Sequence, residues 1–327
     1  MITQWAIAGT GFAASDFISK LDRQKYDVRA VFDINEQALK AYGEKFQVHD
    51  TYTDFAEMLD SAVFQGLYIG TPNQTHYPLM LQALKAGKHI ICEKVITLNS
   101  QQYKHIQSLA EEKELVVIEG ITLFYMPLFS KLKQLTDTGD LGRMSGINVT
   151  FGSAKAFDPT NRFFDREKGG GALFDIGTYA LSALVYFLGT DCQLVFTDGT
   201  LSETGVDEKS SFILRNNEQM LGTGMISFRG KLPKQIVLSG EKGYIVVEDF
   251  PRAEKATIHW NDGRVEQMEI GNEDQVFNSE IEILNGYARN ASETELDVRE
   301  VTGKVLSIMD QCRKQWGLSY PNEDLLP

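Results

Sequence analysis

The chain has 327 residues, 43% of them hydrophobic and 24% charged, with 45 acids against 32 Lys and Arg for a formal net charge of −13. A length beyond the roughly 250 to 300 residues at which single cores stop growing predicts two domains. The acidic balance, with no long basic cluster to offset it, argues against nucleic acid and anionic membranes as partners. No apolar run approaches the roughly 20 residues of a membrane helix, and the N-terminus enters a strand without a basic region or cleavage site, so a cytoplasmic location is expected. Cys92, Cys192 and Cys312 lie far apart without a C-x-x-C pattern, which suggests neither a disulfide framework nor a metal site.

Trp5-Ala6-Ile7-Ala8 runs directly into Gly9-Thr10-Gly11-Phe12-Ala13-Ala14, which has the form G-x-G-x-x-A. A strand that ends in such a loop and opens a helix makes a pyrophosphate site. Gly9 permits the tight turn, Gly11 removes a side chain that would block the phosphates, and Ala14 lets the helix pack closely with its free N–H groups aimed at the anion. Ala14, Phe17, Ile18 and Leu21 fall at i, i+3, i+4 and i+7 and predict that helix with one buried face. Residues 28–32 form a second predicted strand ending at Asp33, about 20 residues beyond the glycines, where the ribose 2′-hydroxyl of a dinucleotide is held. Ile34 offers no charge to balance a 2′-phosphate, so NAD is the expected cofactor, with NADP left open.

The pattern continues with a strand over 66–69 that enters Gly70-Thr71-Pro72-Asn73, a helix over 75–86, and a strand over 88–92 that ends at Glu93-Lys94. Asn99 or Ser100 can cap the next helix, whose Tyr103, Ile106 and Ala110 share a face, and a strand over 115–118 closes the series. Such alternation implies a doubly wound α/β domain of Rossmann type, with ligands bound beyond the carboxyl ends of its parallel strands. The loops at those ends carry Gly9, Thr10, Gly11, Phe12, Ala13, Asp33, Thr71, Pro72, Asn73, His76, Glu93 and Lys94 as candidate cofactor-binding residues. Asn73 reads equally as a turn residue after Pro72, and His76 as a local cap.

From about 121 the pattern changes to a helix near 127–138, a strand over 144–152, an irregular segment, and a helix over 172–188. Strands follow over 193–201, 210–215, 220–228, 235–238, 244–248 and 257–260, separated by turn signals. This predicts an α+β second domain with a large, mostly antiparallel, open-faced sheet and one helical layer, and divides the chain into 1–120 and 121–327. The closing helix carries Val301, Val305, Ile308 and Cys312 on one stripe and should dock on a core, with the first domain an open option. Along 219–228, Leu221, Thr223, Met225 and Ser227 alternate with Met220, Gly224, Ile226 and Phe228. Only one of those sets can meet the helix layer, so a homodimer or higher homo-oligomer is expected.

Asp175 and Tyr179 stand at i and i+4 on a helix and share a face; a dipole-favoured aspartate and a packed tyrosine would explain the same spacing. Arg162, Arg166 and Lys168 read either as pocket residues or as solvated loop charges.

Gly9 to Ala14, the run Thr71-Pro72-Asn73-Gln74-Thr75-His76, the pair Glu93-Lys94, and Gly169-Gly170-Gly171-Ala172-Leu173-Phe174-Asp175-Ile176-Gly177-Thr178-Tyr179 together resemble the Gfo/Idh/MocA oxidoreductases. The resemblance covers nearly the whole chain in the family's order. It implies a nicotinamide dinucleotide, a sugar, polyol or vicinal diol as substrate, and a sheet that often pairs two subunits. Many members place a histidine four residues after the aspartate. Tyr179 stands there instead, as in the branch containing glucose-fructose oxidoreductase and the dihydrodiol dehydrogenases.

On this resemblance Tyr179 is the acid/base, Lys94 lowers its pKa and orients the hydroxyl, and Asp175 holds the substrate; Arg162 is a further candidate substrate-binding residue beside them. A free tyrosine titrates near about 10 and needs a nearby cation to act as a base at neutrality. The family's usual proline after Glu-Lys is Val95 here, and a cis bond before valine costs about 3 kcal/mol, so nothing local favours one. A non-catalytic sensor of dinucleotide or sugar on the same fold is the alternative. Lys94, Asp175 and Tyr179 together argue against it.

Overall fold

The structure, a computed structural model, describes residues 1–60, 63–289, 296–321 and 323–324. The chain packs as two compact units, one formed by Met1–Gly120 with Asp274–Glu295 and the other by Ile121–Glu273 with Leu296–Pro327.

In the first unit, β1 (Gln4–Ala8), β2 (Asp27–Phe32), β3 (Asp50–Tyr52), β4 (Gly66–Ile69), β5 (His89–Cys92) and β6 (Val117–Glu119) form a six-stranded sheet in the order β3-β2-β1-β4-β5-β6. Every pair is parallel. The connecting helices are α1 (Phe12–Lys20), α2 (Glu36–Phe46), α3 (Phe55–Asp60), α4 (Asn73–Lys85) and α5 (Ser100–Glu112). This is the doubly wound order in which the chain reverses between β1 and β4, so a crevice opens at their carboxyl ends. Ala14, Phe17 and Ile18 of α1 are buried as their spacing predicts, and Phe17 stacks on Tyr68 with ring centroids 3.9 Å apart. Asn99 caps α5, its side chain accepting from the Gln102 N–H at 2.8 Å.

The second unit holds α6 (Pro127–Asp137) and α7 (Thr178–Leu188), and an eight-stranded sheet whose strands are β7 (Met144–Gly152), β8 (Gln193–Leu201), β9 (Asp207–Arg215), β10 (Leu221–Ser227), β11 (Leu232–Gly240), β12 (Gly243–Glu248), β13 (Lys255–Trp260) and β14 (Val265–Glu269). Their order is β14-β13-β12-β11-β7-β10-β9-β8; β7 and β10 run parallel and the other neighbours antiparallel. The helix α7 lies close on β7 and β10, and glycines allow it: a Cβ on Gly222 would come within 2.6 Å of Leu188 Cδ1. The stretch Arg166–Leu188, contrary to the sequence expectation, is long and apolar enough to cross a membrane, yet 89% of its most apolar window is buried, as befits a core helix.

Two further helices finish the chain, α8 (Val276–Ala288) and α9 (Val298–Trp316). The sequence reading assigned all of 121–327 to the second domain, but α8 packs with the first unit. Phe277 meets Phe17 at 5.4 Å, Asn278 Oδ1 accepts from the Asp22 N–H at 2.8 Å, and Asn285 Oδ1 accepts from the Ile2 N–H at 2.6 Å. The closing helix α9 belongs to the second unit, with Val301, Val305, Ile308 and Cys312 buried and with α7 and β8 as its neighbours.

Candidate active site

The first unit supplies a cradle at the carboxyl ends of β1, β2, β4 and β5. Gly9 has φ +101°, its N–H donates to Phe32 O at 2.7 Å, and a Cβ there would lie 2.7 Å from Gly70 O, so no other residue fits without moving the backbone. No side chain among the described residues caps α1 at Gly11, and a Cβ on Gly11 would meet nothing within 4 Å. Uncapped helix N–H groups beside open space form an anion site. Asp33, just past β2, has Oδ2 accepting from both the N–H and the Oγ1–H of Thr10, at 2.9 and 2.6 Å, and Oδ1 accepting from the Asn35 N–H at 2.9 Å. These bonds fix the carboxylate at the strand end. Phe12 and Ile34 hold large apolar side chains almost fully in solvent nearby in sequence, as residues that flank a planar ligand would. The donor set and its shape fit a dinucleotide.

Thr71 and Pro72 form the turn from β4 into α4, which Asn73 opens and where Thr75 Oγ1 donates to Pro72 O at 2.7 Å. His76 serves neither role expected of it. It is fully buried, with Nδ1 2.9 Å from Val95 O and Nε2 2.8 Å from Thr71 O. Burial pushes its pKa down, against the raising effect of those carbonyls, so the ring is a brace between the loops after β4 and β5. Past β5, Glu93 Oε1 accepts from the Tyr68 hydroxyl at 2.5 Å and Glu93 Oε2 from the Lys94 N–H at 3.3 Å. Ile96 N–H donates to the buried Glu119 at 3.0 Å, which fixes the far side of the turn. The Lys94–Val95 peptide is cis, although valine gives that form no local preference.

In the second unit the helix bearing the other candidates departs from expectation. Leu173–Gly177 is a π turn, with α7 starting only at Thr178, so the α-helical i, i+4 rule does not govern Asp175 and Tyr179. Both residues are nevertheless partly accessible: from Gly171 to Leu188 every residue is buried except Asp175 and Tyr179. The Tyr179 ring lies 6.4 Å from that of Phe151, the penultimate residue of β7.

Sequence reasoning missed Lys155. Its Nζ lies 3.9 Å from Asp175 Oδ2, 3.2 Å from Ser153 Oγ as donor, and over the rings of Phe163 and Phe228 at 3.8 and 4.8 Å from their centroids. Phenyl faces attract the ammonium and hold it at the carboxylate. No spacing rule links positions twenty residues apart across an irregular segment, so only the fold could find the pair. Arg162 lies over the Phe163 ring at 4.2 Å, whereas Arg166 bonds Ser319 O at 2.7 Å and Lys168 pairs with Asp165 at 2.6 Å. Those last two are structural contacts.

A doubly wound parallel sheet with this cradle is the architecture of a dinucleotide-binding domain. Comparison with known proteins gives the family. Residues 3–121 match an oxidoreductase family with an NAD-binding Rossmann fold, and residues 129–246 match the GFO/IDH/MocA C-terminal domain. The chain belongs to the GFO/IDH/MocA oxidoreductase family, and it is an NAD(P)-dependent dehydrogenase or reductase. It is 28% identical over 326 residues to scyllo-inositol 2-dehydrogenase (NADP(+)) of Bacillus subtilis, covering 97% of this chain and 98% of that protein. It is 25% identical to trans-1,2-dihydrobenzene-1,2-diol dehydrogenase of Xenopus laevis over 98% of this chain and all of that one, 100%. Its fold matches that of a 3-ketoreductase from Actinomadura kijaniata in complex with NADP and TDP-benzene, with TM-score 0.85 at 19% identity, over 96% of this chain and 98% of that one.

Proposed function

We propose that the protein transfers hydride between nicotinamide and a hydroxyl or carbonyl of a sugar, polyol or vicinal diol, with Tyr179 as proton carrier and Lys94 as its supporting cation. The observation that carries this reading is the emergence of Asp175 and Tyr179 as the two accessible positions of an otherwise buried helix. Burying a helix so fully while leaving a carboxylate and a phenol partly accessible suits a substrate with several hydroxyls better than it suits packing. When bound, the dinucleotide supplies the hydride acceptor or donor. Asp175 accepts from a substrate hydroxyl adjacent to the reacting one, and Lys155, 3.9 Å away, pairs with the carboxylate and helps aim it. In oxidation the Tyr179 phenolate takes the proton of the reacting hydroxyl; in reduction the phenol returns it. Two relatives whose names specify an inositol and a dihydrodiol support the substrate class. Incubating the purified protein with NAD and a panel of polyols, sugars and diols should change the reduced-nicotinamide absorbance. Tight cofactor binding with no turnover on any of them would favour a sensor instead.

The cofactor is expected to be NAD rather than NADP, because the fixed Asp33 carboxylate suits a free 2′-hydroxyl and repels a 2′-phosphate, and the exposed Ile34 offers no counter-charge. Asp33→Ser should narrow the preference by about tenfold, roughly 1.4 kcal/mol. Titration with both reduced cofactors measures this, and tighter NADPH binding by the wild type would sink it.

We further propose that the protein is a homo-oligomer built on the second sheet. Leu221 and Met225 of β10 are 41% and 44% exposed, on the face opposite the buried Gly222, Gly224 and Ile226. The strand register carries this face through Gly146 and Ser239 to Tyr244 and Val265, and through Ile213 to Phe196, which are also exposed. Exposed apolar side chains spread along an uncovered sheet face, interspersed with polar ones such as Asn148 and Thr150, support an interface there. Light scattering at micromolar concentration should give at least a dimer mass, and Met225→Glu should lower it to that of a monomer. A wild-type monomer would rule the interface out.

A further inference from the structure

Behind the turn that bears Asp175 lies a buried polar cluster that the chemistry above does not use. Asp207, the first residue of β9, is fully buried. Its Oδ2 accepts from the Leu173 N–H at 2.8 Å, at the first residue of the π turn, and its Oδ1 has no hydrogen-bond partner among the described residues. Gly171 makes the approach possible: its φ is +115°, and a Cβ there would collide with Asp207 Oδ1 and stand 3.0 Å from the Tyr320 hydroxyl. Tyr320, beyond α9, donates to Gly170 O at 2.5 Å and stacks on Phe174 with centroids 4.6 Å apart. Arg313 of α9 lies over both rings, at 5.5 and 5.4 Å, and is itself held by Asp310 at 2.8 Å and by Glu323.

We infer that Asp207 is a positioning residue that sets the start of the π turn, and through it the aim of Asp175 and Tyr179, in a proton-dependent way. This rests on the reading of those two residues as the substrate-handling pair. A carboxylate accepts an N–H about twice as strongly as a neutral oxygen does, so ionised Asp207 grips Leu173 harder than the protonated acid. Burial opposes that ionisation and pushes the carboxyl up to about 7, partly offset by the Leu173 N–H and by the charge of Arg313. The other groups facing it are Arg313 and Cys312 from α9, Tyr320 and Glu323 from the segment after it, and Arg166 near Tyr320. Burial, and then the charge of Asp207, push the Cys312 thiol up to about 12 and the Tyr320 phenol well above its ordinary value. The pKa of Arg313 is raised. Asp207 is therefore the member of this group that changes charge around neutrality, and the grip on Leu173 changes with it.

The sign follows from linkage. An acid whose native pKa lies above its unfolded value of about 3.9 makes the native state hold a proton that the unfolded chain releases, so this residue lowers stability as pH rises toward its native value and not beyond it. Asp207→Asn keeps an oxygen for Leu173 and abolishes the titration. The test compares pH profiles of kcat/KM and the exchange of the Leu173 amide, corrected for intrinsic rate, in wild type and Asp207→Asn. In wild type, exchange should slow roughly tenfold on passing from mildly acid to mildly alkaline pH, and kcat/KM should show a matching inflection; both should be absent in the variant. Variant and wild-type profiles that differ by scale alone would overturn the inference. Should the variant fail to fold, the wild-type exchange decides by itself, since a Leu173 amide with no step near neutrality overturns it equally. Exchange needs no substrate, so an active Tyr179→Phe enzyme would remove the proposed chemistry and leave this measurement intact.

Discussion

Replacing Tyr179 with Phe is expected to lower kcat by about 10²- to 10⁴-fold while leaving cofactor affinity nearly unchanged, the usual range for loss of general acid/base catalysis. The substitution removes one oxygen and keeps the ring that lies 6.4 Å from Phe151, so the α7 packing that places Asp175 survives. Cofactor affinity should hold because the cradle of Gly9, Gly11 and Asp33 belongs to the other unit and shares no element with α7. Steady-state rates on the best substrate, alongside a dinucleotide titration of the same preparation, separate the two effects. Near-normal turnover would make Tyr179 structural. The proton would then have to pass to water, because His76 is fully buried with its ring nitrogens facing Val95 O and Thr71 O of its own unit.

The first unit was legible because its signals are local. The glycine loop, the α1 stripe from Ala14 to Leu21 and the acid at the end of β2 each lie within one strand–loop–helix passage, and the burial of Ala14, Phe17 and Ile18 follows from periodicity alone. The short edge strand Asp50–Tyr52 escaped notice because three residues, two of them exposed, carry no alternation. The outer strand Val265–Glu269, mostly exposed and polar, escaped for the same reason. Long-range pairing was beyond reach. The helix α8 was not among the elements expected from the sequence, and its home in the first unit rests on Asn278 and Asn285 meeting backbone groups more than 250 residues away. The candidate site divides along the same line. Asp175 and Tyr179 were found through their motif, while the partners that fix them, Lys155 and Asp207, come from an irregular segment and from a strand beginning Asp-Glu-Lys that looks solvated. The π turn was invisible for a related reason: its sequence has good helical periodicity, and the wider turn arises where Gly171 at φ +115° brings the chain against Asp207.

Lys94→Ala should be at least as damaging as Tyr179→Phe, because on the proposed reading it removes both the charge that favours the phenolate and a donor to the reacting oxygen. The surrounding turn should tolerate the change. Its backbone is fixed by bonds that do not involve the lysine ammonium: Glu93 N–H donates to Ile69 O at 2.8 Å, Lys94 N–H to Glu93, and Ile96 N–H to Glu119 at 3.0 Å. The thermal midpoint of the variant should accordingly stay close to wild type. In wild type, the rate of substrate oxidation should rise with pH, since the base form of the tyrosine is the one that accepts the proton, and the rate of reduction should fall over the same interval. The inflection should lie well below the value of about 10 for a free phenol. Lys94→Arg keeps the charge but spreads it over a planar fork with different reach, so it should retain some activity with a displaced inflection. Lys94→Ala should move whatever rate remains toward the free-phenol value. An Ala variant with wild-type turnover and an unmoved inflection would show that the charge supporting Tyr179 comes from elsewhere, and Lys155, already placed 3.9 Å from Asp175, would be the cation to replace next.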